Sequence, residues 1–372
     1  MKNDFCDVNK ARIRHTTHLA NMQHLSTISF PHDLSEFSEI IDVRSPSEYA
    51  LDHIPGAINL PVLGDEQRAR VGEIYKSNPF EARRLGAALI SANVSEHIQS
   101  KMMEHGIDYS PLLYCWRGGM RSRSFTFILK SIGWKPHVVQ GGYRAFRKFI
   151  VEDTEEIFLT EGLNLQVLSG LTGVGKTRLL HTIREQGGQV LDLEGLANHK
   201  GSLLGATPSS AQPAQKKFET DLWHQMKQFD LTKPIFTEAE SNRIGNVHCP
   251  PALWQALKRS RVINIQLPVT ERIKILLEDY PHFQEEAEDL KHLLSKLIPL
   301  RGHEQVNQWN SLIDEKNWGD FVQSVLENHY DLCYRAPGAE DSNYQLATAD
   351  VKISDASKNS FEEAAKQTLS LA

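Results

Sequence analysis

Two short glycine-bearing loops constrain the architecture of this 372-residue chain more than any other feature. The first is Cys115-Trp116-Arg117-Gly118-Gly119-Met120-Arg121-Ser122, directly after the apolar run Pro111-Leu112-Leu113-Tyr114. The second is Gly170-Leu171-Thr172-Gly173-Val174-Gly175-Lys176-Thr177, directly after Leu165-Gln166-Val167-Leu168. Each is followed by a helical pattern. A strand that ends in a tight loop and turns into a helix aims successive backbone N–H groups and a helix N-terminus at one point, a natural place for an anion. One loop carries a thiol at its base and the other a lysine. A reactive sulfur paired with a polyphosphate cradle points to transfer of a chalcogen atom, assisted by phosphorus chemistry.

Short β-like runs alternate with helical patterns around both loops. Strands are expected at 39–43, 57–61, 111–114 and 137–140, and again at 165–168, 189–192, 234–237 and 261–265. Helices are expected at 121–132, 176–186 and 218–229, with apolar residues at helical spacing from about 270 to Tyr330. Strand, loop and helix in repetition imply an α/β chain with parallel sheets covered on both faces. The length exceeds what one ordinary core organises. The layout predicted is an extension over 1–29, a first domain over 30–150 and an acidic connector helix over 151–164. A second domain with a helical C-terminal part follows over 165–335, and 336–372 is a tail without a recognisable motif.

No stretch approaches the roughly 18–20 apolar residues of a membrane span, so no membrane partner is expected. Cys6, Cys115, Cys249 and Cys333 are scattered without CxxC pairs, which argues against a disulfide framework or structural zinc and for a cytoplasmic chain. The extension holds His15, His18 and His24 without metal-ligand spacing and is read as weakly ordered. Net charge is −6, yet between Tyr114 and Ile150 there are eight Lys/Arg and no Asp/Glu. That basic run begins at the thiol loop, which favours an anionic substrate over a merely solvated face.

Three motifs in order, Asp42-Val43-Arg44-Ser45-Pro46-Ser47-Glu48-Tyr49, then His53-Ile54-Pro55-Gly56-Ala57-Ile58-Asn59-Leu60-Pro61, then the cysteine loop, resemble the rhodanese family over about residues 30–150. The resemblance implies a rhodanese-like parallel-sheet domain in which Cys115 carries a transferable chalcogen. The chemistry is legible in the loop itself: its amides and the following helix dipole stabilise a thiolate, the nucleophilic form. Arg117 and Arg121 add positive charge, while Cys6, Cys249 and Cys333 lack such surroundings in the sequence. The spacing Cys115-x5-Arg121 is one residue longer than in ordinary sulfurtransferases and resembles phosphatases on the same fold. A larger ring suits a phosphorus-centred anion, held by Arg117, Gly118, Gly119 and Arg121.

The second loop matches the Walker A pattern in full, from Gly170 through Gly173 and Gly175 to Lys176 and Thr177. Lys176 is expected on the terminal phosphates and Thr177 on Mg²⁺, the metal such a loop accepts. Glu238 or Glu240, after Ile235-Phe236, is the candidate acidic partner, with Thr177 and Glu238 as the expected metal pair. Asp192 and Glu194, after another strand, compete for that role. The loop specifies a di- or triphosphate, not which one.

With Asp192-Leu193-Glu194-Gly195-Leu196-Ala197-Asn198-His199-Lys200-Gly201-Ser202, Glu238-Ala239-Glu240-Ser241-Asn242-Arg243-Ile244-Gly245 and Gly141-Gly142-Tyr143-Arg144-Ala145-Phe146-Arg147, the chain from about residue 30 to Tyr334 resembles the tRNA 2-selenouridine synthase family. The resemblance implies replacement of sulfur by selenium in the wobble 2-thiouridine of tRNAs for lysine, glutamate and glutamine. It further implies an S-geranyl intermediate made from geranyl diphosphate, and selenophosphate as selenium donor, with Cys115 carrying selenium as S-selanylcysteine. Arg123, Lys130, Arg144, Arg147 and Lys148 are the tRNA-backbone candidates. Two other readings stay open: a rhodanese-like phosphatase, and a nucleotide-dependent sulfurtransferase. Oligomeric state is not legible, and a monomer is allowed.

Overall fold

The computed structural model describes residues 25–200, 211–334, 337–339 and 342–372. Cys6, His15, His18, His24, Gly201 and Ser202 lie outside the described residues. The chain divides into two compact units, Met1–Asp153 and Thr154–Ala372.

The first unit is built on β1 (Ser26–Ile28), β2 (Glu39–Asp42), β3 (Ala57–Asn59), β4 (Pro111–Tyr114) and β5 (His137–Val139), all parallel, in the order β1-β5-β4-β2-β3. Strand β4 is buried along its whole length, as a central parallel strand covered on both faces must be. Ile41, Leu113, Phe125 and Leu129 share its core. The helix Met120–Ile132 stops at Gly133, in the left-handed region at φ 107°, whose N–H closes on Lys130 O. Two helices that were not foreseen, Asp65–Ser77 and Pro79–His97, fill the span between β3 and β4.

Two boundaries move. Residues 26–28, expected in the extension, pair in register with His137–Val139 as the edge strand β1, a run too short to show a period. The separate connector helix expected over 151–164 is instead the second half of one helix, Gly142–Leu159. Tyr143, Phe146, Ile150, Ile157 and Phe158 are all buried along it, so the apolar stripe runs unbroken beneath the change in surface charge.

The second unit has β6 (Leu165–Ser169), β7 (Gln189–Leu191), β8 (Ile235–Glu238), β11 (Arg261–Gln266) and β12 (Ala349–Lys352) in one parallel sheet, order β12-β11-β6-β8-β7. A small antiparallel pair, β9 (Arg243–Ile244) with β10 (Val247–His248), stands apart. The helices Ala287–Ser295, Ile298–Asp314 and Trp318–Val325 form their own core around Leu290, Leu294, Trp309 and Phe321.

The expected tail is the largest correction. Residues Ala349–Lys352 are an edge strand on β11, and the helix Lys358–Ser370 packs with Lys176–Glu185, burying Val351, Ile353, Phe361, Ala364 and Ala365 in the same core as Leu179 and Ile183. The apolar residues of this segment are few and mostly small, so their helical period is weak until the partner helix is in place. Phe361 touches the phosphate loop directly: a Cβ on Gly175 would lie 2.5 Å from its ring. Phe361→Ala should therefore cost about 3–5 kcal/mol in denaturant unfolding of this unit. A midpoint unchanged from wild type would show the segment to be an appendage.

Candidate active site

The thiol loop sits where β4 turns into the helix Met120–Ile132. Cys115 Sγ, nearly buried, accepts from the Gly119 N–H at 3.2 Å and from Ser122 Oγ at 3.3 Å. The opposite side of the loop is held by the start of the helix Gly142–Leu159. Tyr143 N donates to Cys115 O at 2.8 Å and Arg144 N to Trp116 O at 3.1 Å. With those carbonyls drawn outward, loop amides are free to face inward. Gly142 permits this approach: at φ 61°, a Cβ on it would lie 2.2 Å from Cys115 O.

A buried polar network stands behind the loop. Arg44 forms a 2.6 Å ion pair with Asp42 and lies 3.9 Å from the Tyr143 ring centroid, and the Tyr143 hydroxyl donates to Asp52 Oδ2 at 2.6 Å. A charge-assisted, bidentate pair of this kind fixes orientation more than it adds stability.

The expected cations are distributed unevenly. Arg117 is exposed at the loop crown. Arg121 is drawn to Glu48 at 2.8 Å, and Arg68 holds the same carboxylate at 2.8 Å. These pairings, with the Ser45 N–H, hold the Glu48 carboxyl below the usual range against the upward push of its burial. Among the tRNA-backbone candidates, Arg123, Arg144 and Lys148 are exposed, Arg123 donating through Nε to Gly118 O at 3.2 Å and Lys148 lying 3.7 Å from Glu152. Lys130 is half-buried. One needs correcting. Arg147 is 13% exposed and faces buried Asp52 at 3.7 Å, so it belongs to the scaffold.

In the second unit the phosphate loop joins β6 to the helix Lys176–Glu185. Gly175 precedes the helix in the left-handed region at φ 80°, and Lys176 Nζ donates to Gly170 O at 3.2 Å. Gly173 packs against Leu276. The acidic residues converge, though not in the expected pairing. Thr177 Oγ1 donates to Glu194 Oε2 at 3.1 Å, whereas Glu238, 1% exposed, accepts the Glu194 N–H at 2.6 Å. Glu194 thus takes the place foreseen for Glu238 beside Thr177. Asp192 caps the short helix Leu193–Ala197, accepting the Gly195 N–H at 2.7 Å.

Burial, then the charges of Asp192 and Glu194, push the Glu238 carboxyl well above its ordinary range. Burial, then Glu194, push Glu240 up to about 8 against the pull of Lys176. Glu238 Oε2 is buried without a hydrogen-bond partner among the described residues. Oxygen donors around a hydroxyl, with carboxylates crowded enough to resist ionisation, fit a hard divalent cation. No three metal-ligating side chains are gathered into a cage among the described residues.

A cleft of about 430 Å³ opens over the loop, lined by Lys176, Thr177, Glu194, Glu240, Tyr280 and Tyr334 among others. A smaller apolar pocket of about 70 Å³ shares Leu276, Tyr280 and Tyr330 with it and is closed by Leu290, Phe321 and Val325. Sequence reasoning missed this pocket, because its walls come from helices whose contacts are not local. It also missed Ser122, although the residue stands in the quoted loop, and it misjudged Cys333. That thiol lines the cleft and accepts from Arg301 Nη2 at 2.9 Å, so a cation does attend it.

Comparison with known proteins agrees with both halves of this description. Residues 31–149 match the family model of the rhodanese-like domain, and residues 163–297 match that of the tRNA 2-selenouridine synthase AAA domain. The chain is 33% identical over 325 residues to a tRNA 2-selenouridine synthase of Alcanivorax borkumensis, covering 79% of this chain and 88% of that one. It is 37% identical over 247 residues to the protein of that name from Nitrosomonas europaea, covering 65% of this chain and 63% of that one. A relative of the same name from Hydrogenovibrio crunogenus is 38% identical over 248 residues, covering 65% and 67%.

Proposed function

The chain belongs to the tRNA 2-selenouridine synthase family, and from that premise we propose that it replaces sulfur by selenium in the wobble 2-thiouridine of tRNA. The acceptors are tRNAs for lysine, glutamate and glutamine. The route runs through S-geranyl-2-thiouridine, with geranyl diphosphate as alkyl donor and selenophosphate as selenium donor.

One observation carries this route: the diphosphate cradle of the second unit continues into an apolar pocket. An allylic diphosphate has a charged head for Lys176 and a hydrocarbon tail for Leu290, Phe321 and Val325. A thiocarbonyl sulfur is a poor leaving group, and alkylation converts it into a thiol that can depart. The thiouridine sulfur attacks the carbon that bears the diphosphate, the C–O bond breaks, and the N3 proton of the base is released. Lys176 and the loop amides stabilise the pyrophosphate as its charge develops. Thr177 and Glu194, with Glu238 behind them, would hold Mg²⁺, which when bound neutralises further phosphate charge.

In the first unit the Cys115 thiolate attacks the phosphorus of selenophosphate, the P–Se bond breaks and selenide leaves at an unchanged oxidation level, and water later cleaves the S-phosphocysteine to phosphate. An S-selanylcysteine formed with release of phosphate would need a two-electron oxidant that the donor does not supply. Gly119 N–H and Ser122 Oγ support the charged sulfur, and Arg117 attends the phosphate part of the donor. The released selenide attacks C2 of the base, the C2–S bond breaks and geranylthiolate leaves. Arg123, Arg144 and Lys148 are the exposed contacts for the tRNA backbone, and a wobble base already in a single-stranded loop is cheap to splay out.

Mass spectrometry of tRNA nucleosides tests the reading. Cells lacking the gene should hold 2-thiouridine and neither the geranylated nor the selenated form, and plasmid-borne gene should restore both. Selenouridine persisting in the deletion strain would defeat the assignment; absence of the geranylated form when selenophosphate is withheld would defeat the route.

A further inference from the structure

Arg272, on the helix Val269–Asp279, has a side chain only 3% exposed, and its guanidinium is divided between two distant parts of the second unit. Nε donates to the carbonyl of Thr172, inside the phosphate loop, at 2.8 Å. Nη1 and Nη2 donate to Oδ2 and Oδ1 of Asp331 at 3.0 and 2.6 Å. Asp331 opens the short turn Asp331–Cys333, directly after the π-helical segment Leu326–Tyr330. At the other end of that turn the Tyr334 hydroxyl shares a 3.2 Å hydrogen bond with Ser169 Oγ, at the end of β6. Tyr330, Cys333 and Tyr334 all line the cleft over the loop. The turn is therefore tied at one end to the phosphate loop and at the other to the strand that leads into it.

A phosphate loop binds anions only while its amides point inward, and each inward amide turns a carbonyl outward that needs a donor. Arg272 supplies one for Thr172. The planar fork lets the same side chain grip Asp331 bidentately, a combination that a lysine ammonium cannot reproduce. A purely structural role would be met as well by apolar side chains of similar volume, since burying an ion pair brings little net stability.

We infer that Arg272 is a positioning residue: it orients the Thr172 peptide for anion binding and docks the Asp331–Tyr334 turn as a wall of the same cleft, so that occupancy of the loop and seating of the turn are coupled. This rests on the reading of the cleft as a diphosphate site.

Inorganic pyrophosphate with Mg²⁺ is the probe, used on the full chain and on Arg272→Lys, Asp331→Asn and Asp331→Glu. Calorimetry gives its affinity, and thermal unfolding without ligand gives stability. Alkylation of the exposed Cys333 thiol by iodoacetamide, read by peptide mass spectrometry, reports on the turn. Buried Cys249, whose thiol burial pushes up to about 12, serves as the unreactive control. Pyrophosphate should slow Cys333 labelling in the wild type. Arg272→Lys and Asp331→Asn should weaken pyrophosphate binding by about 10- to 100-fold, the scale of a small misplacement of binding groups. Both should also make Cys333 labelling indifferent to pyrophosphate, while Asp331→Glu retains part of each effect. Because Asp331 is 28% exposed, its asparagine variant keeps the test alive if Arg272→Lys folds poorly. Variants that lose thermal stability but keep wild-type affinity and protection would reduce Arg272 to a structural residue. A wild type that fails to bind pyrophosphate would sink the diphosphate reading of the cleft, and the inference with it.

Discussion

Cys115→Ala is expected to bring selenium incorporation down to background while leaving geranylation of thiouridine close to normal. The thiol and the diphosphate cradle lie in separate compact units, built on different sheets. The selenium step depends on a nucleophile that alanine lacks, and losing a covalent nucleophile costs about 10⁶ in rate where it has been measured. The geometry supports a dedicated role, because Gly119 N–H and Ser122 Oγ both converge on Sγ. The alanine variant should fold, since the carbonyl of residue 115 still accepts from Tyr143 N and the loop keeps its shape. The assay is nucleoside mass spectrometry of purified tRNA after incubation with each substrate in turn. Selenouridine formed at the wild-type rate would remove the covalent role.

Lys176→Ala is expected to show the reverse pattern. Its Nζ donates to Gly170 O at 3.2 Å, a contact it can exchange for phosphate oxygens. Removing one preorganised stabiliser of a leaving anion typically costs about 10²–10³ in rate. Geranyl transfer should fall by that factor in single-turnover measurements. A tRNA supplied already geranylated should be selenated as by the wild type. Normal geranylation by this variant would mean that the phosphate loop serves another ligand.

Much of this was legible before any coordinates. A strand that ends in a glycine turn and continues as a helix is specified by adjacent residues: the turn demands glycine, the strand apolar side chains, and the helix its period. Both loops, and most of the ten strands in the two sheets, are local in this sense. Three things were not. The acid that meets Thr177 depends on strand order: β8 lies between β6 and β7, so Glu238 sits buried behind while Glu194 reaches the hydroxyl. The bond from Arg147 to the scaffold depends on Asp52, a carboxylate from another part of the chain that the sheet brings beneath the loop.

The C-terminal segment shows the limit most clearly. Alone, Lys358–Ser370 has too few large apolar residues to announce a core helix, and Ala349–Lys352 is too short to announce a strand. Each forms because β11 and the helix Lys176–Glu185 leave an uncovered edge and face that only distant residues can close. The chemistry-bearing motifs were thus written into contiguous sequence. The partners that orient them, Glu194 for Thr177, Asp331 for Arg272 and Phe361 for Gly175, were chosen by tertiary packing, because a contact between residues far apart in the chain leaves no local pattern.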